Sequence, residues 1–202
     1  MKRLWFSILL LFFSSLSFSQ VTHDFFFFFN DFLLDGMPFQ IISVEIHPAR
    51  IPREYWRHRI QMAKAMGCNT IAAYIFWNYH ESIPGVFDFK TENRDIAEFV
   101  RICQQEGMWV IVRPGPYVCA EWDFGGLPTY LLKIPDIKIR CMDKRYMDAV
   151  SGYINHLSAE IRSLQCSNAG PILMLQIENE YGSFGNDKEY LEELRKMWLK
   201  NG

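Results

Sequence analysis

Apolar runs of strand length alternate with amphipathic helical stretches through most of this chain. Residues 39–46 read as a first strand. Pro52 then opens a helix with Trp56, Ile60, Ala63 and Met66 on one face, stopped by Gly67. Residues 70–77 form a second strand, and Asn93 caps a helix aligned on Ile96, Phe99, Val100 and Cys103. Residues 108–112 give a third strand, followed by a long loop. Asp143 caps the next helix, which carries Tyr146, Val150, Tyr153, Ile154, Leu157, Ile161 and Leu164 inward. Residues 172–177 make a fourth strand, and Asp187 opens a last helix with Tyr190, Leu191, Leu194 and Trp198 on its apolar face.

Near-continuous apolar strands separated by amphipathic helices imply an α/β fold with a parallel sheet covered on both faces. An open doubly wound sheet and half of a (βα)8 barrel both fit. No glycine-rich phosphate loop follows the first strand, and polar residues gather after the strands: Glu45 and His47, Asn78, His80 and Glu81, Glu121, then Glu178 and Glu180. That distribution favours the barrel, whose active sites sit at the C-terminal ends of the strands.

The N-terminus changes the picture of where such a protein works. Lys2 and Arg3 precede an apolar stretch over residues 4–13, and Ser17 and Ser19 suit a cut near Gln20. Residues 1–19 therefore read as a signal peptide, giving a periplasmic or extracellular protein with no stable membrane span after cleavage. A membrane anchor is the rival, but the apolar stretch is short for a span. Residues 20–38 are a lead-in to the barrel segment at 39–202. It holds five consecutive phenylalanines at 25–29, an edge strand or an aggregation-prone stretch, and a hairpin signal at Asp35-Gly36. With 202 residues, half of them hydrophobic, the chain can build one core. A formal charge of −2 without a basic run excludes a nucleic-acid partner as the leading reading. The five cysteines show no metal-ligand spacing; one disulfide is open to an exported chain, and most of them read as small core residues.

Three motifs carry candidate chemistry. In GPILMLQIENEYG, residues 170–182, an apolar strand ends in Glu178, Asn179 and Glu180. Carboxylates in such a place are costly to desolvate unless partnered, and glycoside cleavage uses two carboxyl groups, one as general acid. If the strand stays extended, Glu178 and Glu180 lie on one side and each raises the other's pKa. Asn179 can then bond a sugar hydroxyl. The plainer alternative is a solvated loop or a helix cap. In RPGPYVCAEWDFGGLP, residues 113–128, Arg-Pro-Gly-Pro forces a rigid excursion that presents Tyr117, Glu121 and Trp122 together. Glu121 can accept bonds from a sugar and either aromatic can stack on a pyranose; equally, the aromatics are core and Glu121 pairs with Arg113. In AAYIFWNYHE, residues 72–81, His80 has no HxH or HExxH partner, so hydrogen bonding is expected of it in place of metal ligation.

Together with FLLDGMPF at 32–39 and EIHPARIPREYW at 45–56, these motifs closely resemble glycoside hydrolase family 35, the β-galactosidases. The resemblance implies a retaining TIM-type (βα)8 barrel that removes terminal non-reducing β-linked galactose from oligo- or polysaccharides, without metal or cofactor. About the first four βα units are present here. By the family's pattern, Glu180 is the acid/base and Asn179 contacts the sugar's 2-hydroxyl. Tyr74, Cys119, Ala120 and Glu121 line the galactose pocket, and Glu178 is a supporting carboxylate. Some positions depart from the pattern. Ala169-Gly170-Pro171 stands where members usually carry Gly-Gly-Pro, residues 47–50 vary a commonly aromatic stretch, and residues 25–29 have no counterpart.

In that family the nucleophile is a Glu near the end of the seventh strand, past residue 202. A related β-glycosidase such as an exo-β-glucosaminidase, or a non-catalytic galactose-binding protein, stay as alternatives; the retained Glu180 speaks against the second. Half a barrel leaves two sheet edges open. The isolated chain, read as a fragment of a longer enzyme, is therefore expected to be poorly stable and inactive. Incubation with a chromogenic β-galactoside tests this: no turnover is expected, and turnover by a stable 202-residue protein would overturn it.

Overall fold

The computed structural model describes residues 21–202, so the leader read at residues 1–19 lies outside the described residues. The lead-in forms a small antiparallel sheet of β1 (Phe25–Phe28), β2 (Asp31–Leu34) and β3 (Met37–Pro38). Asp35 and Gly36 both take positive φ, as a two-residue hairpin between paired Leu34 and Met37 requires. The phenylalanine run is thus an edge strand. Phe25 stacks on Phe32 at 5.4 Å, while Phe26 through Phe29 stay exposed.

The main sheet has four parallel strands: β4 (Ser43–Ile46), β5 (Thr70–Tyr74), β6 (Trp109–Arg113) and β7 (Ile172–Leu175). Their order in space is their order in the chain. A doubly wound sheet reverses its order at a switch point; these strands do not, which is barrel topology. The connecting helices are α1 (Trp56–Ala65), then a short α2 (Trp77–His80), α3 (Ile96–Gln105), α4 (Lys144–Ile161), a short α5 (Tyr181–Phe184) and α6 (Lys188–Lys200).

Helix starts follow local chemistry. Asp143 and Asp187 cap α4 and α6 through bonds accepted from Arg145 N and Tyr190 N, both at 3.0 Å. Before α3 the expected cap at Asn93 is displaced to Asp95, which accepts from Glu98 N at 3.0 Å, because residues 92–94 wind into a 3₁₀ turn of their own. The strands are shorter than the apolar runs. The second ends at Tyr74, and Trp77 turns into α2, where its ring stacks on Tyr153 at 5.1 Å in the core. Met66 lies past the last residue of α1 and is 75% exposed, so it does not share that helix's buried face. Trp56, Ile60, Phe99 and Val100 are fully buried between α1, α3 and the sheet. All five cysteines are free thiols; Cys103 and Cys166 are buried, and the other three are half-buried, which corrects the expectation that most fill the core.

The turn into β7 admits no side chain at Gly170, where a Cβ would lie 1.9 Å from the Leu164 carbonyl oxygen. Within α4, a Cβ on Gly152 meets nothing within 4 Å. Gly170→Ala is expected to destabilise the chain by about 2–3 kcal/mol through forced backbone displacement, and Gly152→Ala to stabilise it by about 0.5–1 kcal/mol. Urea midpoints of the two variants check the opposite signs.

Candidate active site

The carboxylates that end the fourth strand do not share one side. Extended backbone stops at Leu175, and Glu178 and Glu180 both adopt left-handed φ, of 60° and 50°. The turn sends Glu178 into the protein, where it is 1% exposed, and leaves Glu180 at the surface as α5 begins. Glu178 accepts from Arg140 Nη2 at 2.8 Å and Nε at 3.3 Å, from the Tyr190 hydroxyl at 2.6 Å and from the Asn179 N–H at 3.0 Å. Burial first, then the neighbouring Tyr146 and Glu178, pushes the Tyr190 phenol far up, so it stays a donor. The oxygens of this carboxylate are taken up as acceptors by these donors, one of them a guanidinium. The expectation that the two carboxylates lie on one side of an extended strand fails, because the strand ends at Leu175 and both residues take left-handed backbone.

Asn179 is 7% exposed. Its Oδ1 accepts from Arg113 Nη2 at 2.8 Å and Gln176 Nε2 at 3.3 Å, and its backbone carbonyl accepts from Arg140 Nη2 at 2.7 Å. Among the described residues the amide nitrogen has no partner and is left as a donor. Arg113 also pairs with Glu45 and lies over the Tyr74 ring at 4.1 Å. Tyr74 donates to Glu45 at 2.7 Å; burial and that carboxylate push its phenol up to about 12. Three strand ends are thereby joined: Glu45 from β4, Tyr74 from β5 and Arg113 from β6, with Asn179 after β7.

The long loop after β6 supplies Cys119, Ala120 and Glu121, three consecutive residues with φ of 58°, 57° and 47°. A left-handed run of non-glycine residues is costly. Arg50 Nη2 holds it by donating to the Ala120 carbonyl at 2.9 Å and the Glu121 carbonyl at 2.6 Å. The Glu121 side chain is exposed; the sequence alternative of a Glu121–Arg113 pair gives way to Arg113–Glu45. The aromatics proposed for sugar stacking have protein against their faces. Trp122 stacks on Phe76 at 4.0 Å with Arg50 5.1 Å from its ring, and Arg140 sits 3.9 Å over Tyr117.

His80 is structural: its Nδ1 donates to the Asp88 carbonyl at 2.9 Å and its ring stacks on Phe89 at 4.5 Å. Among the described residues no group of three His, Cys, Asp or Glu side chains is placed to hold a metal. Arg140 and Arg50 escaped the sequence reading. Arg140 lies in a loop segment, IKIRCMDK, with no periodicity to mark it; Arg50 stands two residues before a helix-opening proline and reads as surface.

Residues 31–202 match the family described as glycosyl hydrolases family 35. The chain belongs to this family. Among relatives of this glycosyl hydrolase, the beta-galactosidase-1-like protein 3 of Rattus norvegicus is 46% identical over 171 residues, covering 85% of this chain and 27% of that protein. The beta-galactosidase of Xanthomonas manihotis is 44% identical over 173 residues, covering 86% of this chain and 29% of that protein. The family 35 chain thus spans between 27% and 29% of the length of these two relatives. Among solved structures, the endo-1,4-beta-mannanase from Rhizomucor miehei superposes with a TM-score of 0.61 at 16% identity, over 84% of this chain and 56% of that one. The beta-galactosidase from Marinomonas ef1 gives 0.53 at 16% identity, over 72% of this chain and 22% of that one. At such identities the likeness speaks for the fold alone, a TIM barrel of which four βα units are present here.

Burial, reinforced by Arg94 and opposed by the Asp88 carbonyl and carboxylate, pushes His80 down to about 4 from its ordinary 6.5. Between those values the unfolded chain binds a proton that the folded chain does not. Stability is therefore expected to fall as pH drops from about 6.5 to about 4, by up to about 3 kcal/mol. Urea midpoints across that window should show this slope in the native chain and a flatter one in His80→Gln; equal slopes would rule the histidine out.

Proposed function

We propose that the protein carrying these residues is an exported, retaining exo-β-galactosidase and that Glu180 is its acid/base. The observation that carries this reading is the division of labour at the strand end: Glu178 is buried and saturated with donors, while Glu180 faces out at the C-terminal rim with no side-chain partner among the described residues. A general acid must be reachable by the leaving oxygen; only one of the two carboxyls is. Tyr74, Cys119, Ala120 and Glu121 line the sugar pocket, and the Asn179 amide nitrogen donates to the 2-hydroxyl. Both relatives cited above carry beta-galactosidase in their names.

In this reading the Glu180 carboxyl protonates the glycosidic oxygen while a second carboxylate attacks the anomeric carbon. The resulting carboxylate of Glu180 then takes a proton from the water that releases the sugar. Retaining chemistry needs the two carboxyls about 5–5.5 Å apart, and none of the residues above is assigned the nucleophile's part. In the full-length protein, Glu180→Gln is expected to lower kcat for an alkyl β-galactoside by about 100-fold or more. A dinitrophenyl galactoside, whose leaving group needs no proton, should lose far less in its first step. Equal loss on both substrates would remove Glu180 from the acid's role.

A further inference from the structure

Among the described residues, Arg140 makes its polar side-chain contacts to one short stretch of chain. Its Nε and Nη2 reach the Glu178 carboxylate, and Nη2 also reaches the Asn179 carbonyl at 2.7 Å. Its own carbonyl accepts from the Tyr181 hydroxyl at 2.9 Å. The guanidinium is 5% exposed and lies between the rings of Tyr117 and Phe184, 3.9 and 4.0 Å from their centroids. Arg140 therefore holds residues 178, 179 and 181 and leaves 180 alone. Two of the four residues in this turn have left-handed φ without being glycine, a state that persists only where the surroundings fix it.

A buried ion pair is weak grounds for stability, because well-packed apolar residues often serve as well. What apolar residues cannot do is fork onto a carboxylate and a carbonyl at once. We propose that Arg140 is the positioning residue of the acid/base: by clamping Glu178 and Asn179 from within, it sets the turn that aims Glu180 at the rim. This rests on the reading of Glu180 as the acid. Arg140 reaches the reaction only through its neighbours and touches no substrate.

Arg140→Lys keeps the charge and loses the fork. Amide hydrogen exchange of the full-length protein reads the clamp directly, without activity. The Asn179 N–H, bonded to Glu178 at 3.0 Å, should exchange about tenfold faster in the variant. The Val110 N–H, bonded to the Pro171 carbonyl at 2.8 Å in the sheet, should change by less than about twofold. Equal acceleration at both sites, or none at Asn179, overturns the proposal. In the full-length protein, Arg140→Lys should cost a phenyl β-galactoside about tenfold more in kcat than a dinitrophenyl one, with KM little altered; equal losses would also overturn it. Failure of the unmodified full-length protein to cleave either substrate would instead overturn the galactosidase reading, while the exchange result still decides the clamp.

Discussion

All five residues of Thr70–Tyr74 are buried, with helices on one face and the barrel interior on the other. A strand closed in this way has no place for a charge along its length, so polar groups are admitted only where hydrogen bonding to neighbouring strands ends. Four parallel strands side by side, this one the most enclosed, bring their ends to one rim. The site follows from that constraint. Glu45, Tyr74, Arg113 and Asn179 come from positions far apart in sequence and meet because parallel strands in sequential order must deliver them to the same edge.

Strain collects at the same rim. Cys119, Ala120, Glu121, Glu178 and Glu180 all take left-handed backbone, and each group of them is gripped by an arginine from another part of the fold. Arg50 donates to the carbonyls of the first loop, and Arg140 to the carboxylate and carbonyl of the second turn. In both places the guanidinium binds backbone oxygen, and Arg140 binds the Glu178 carboxylate as well. Both arginines also lie against aromatic rings, Trp122 and Tyr117, and the hydrogen bonds of Arg140 are buried.

Alternating apolar runs made the four βα units and their order legible, because burial on both faces leaves a continuous hydrophobic signature. Caps at Asp143 and Asp187 were legible for the same local reason. Strand ends were not: residues 172–177 read as the fourth strand, with Glu178 and Glu180 on one side if it stayed extended, yet both take left-handed backbone and Glu178 is held by Arg140, 38 positions away. No local pattern could separate the buried carboxylate from the exposed one. The family resemblance separated them by motif, and the tertiary contacts supply the physical reason. Arg140 itself carried no signal, since its importance comes entirely from what the fold places around it.

One detail of the wiring has a directional consequence. Arg113 and Gln176 both donate to the Asn179 Oδ1, so the amide can turn only its N–H bonds outward. A hydroxyl that meets this group is obliged to receive, and its own hydrogen must be passed to some other acceptor. The polarity of a hydrogen-bond chain through a ligand is thus set from behind, by a guanidinium and an amide on the protein side of Asn179.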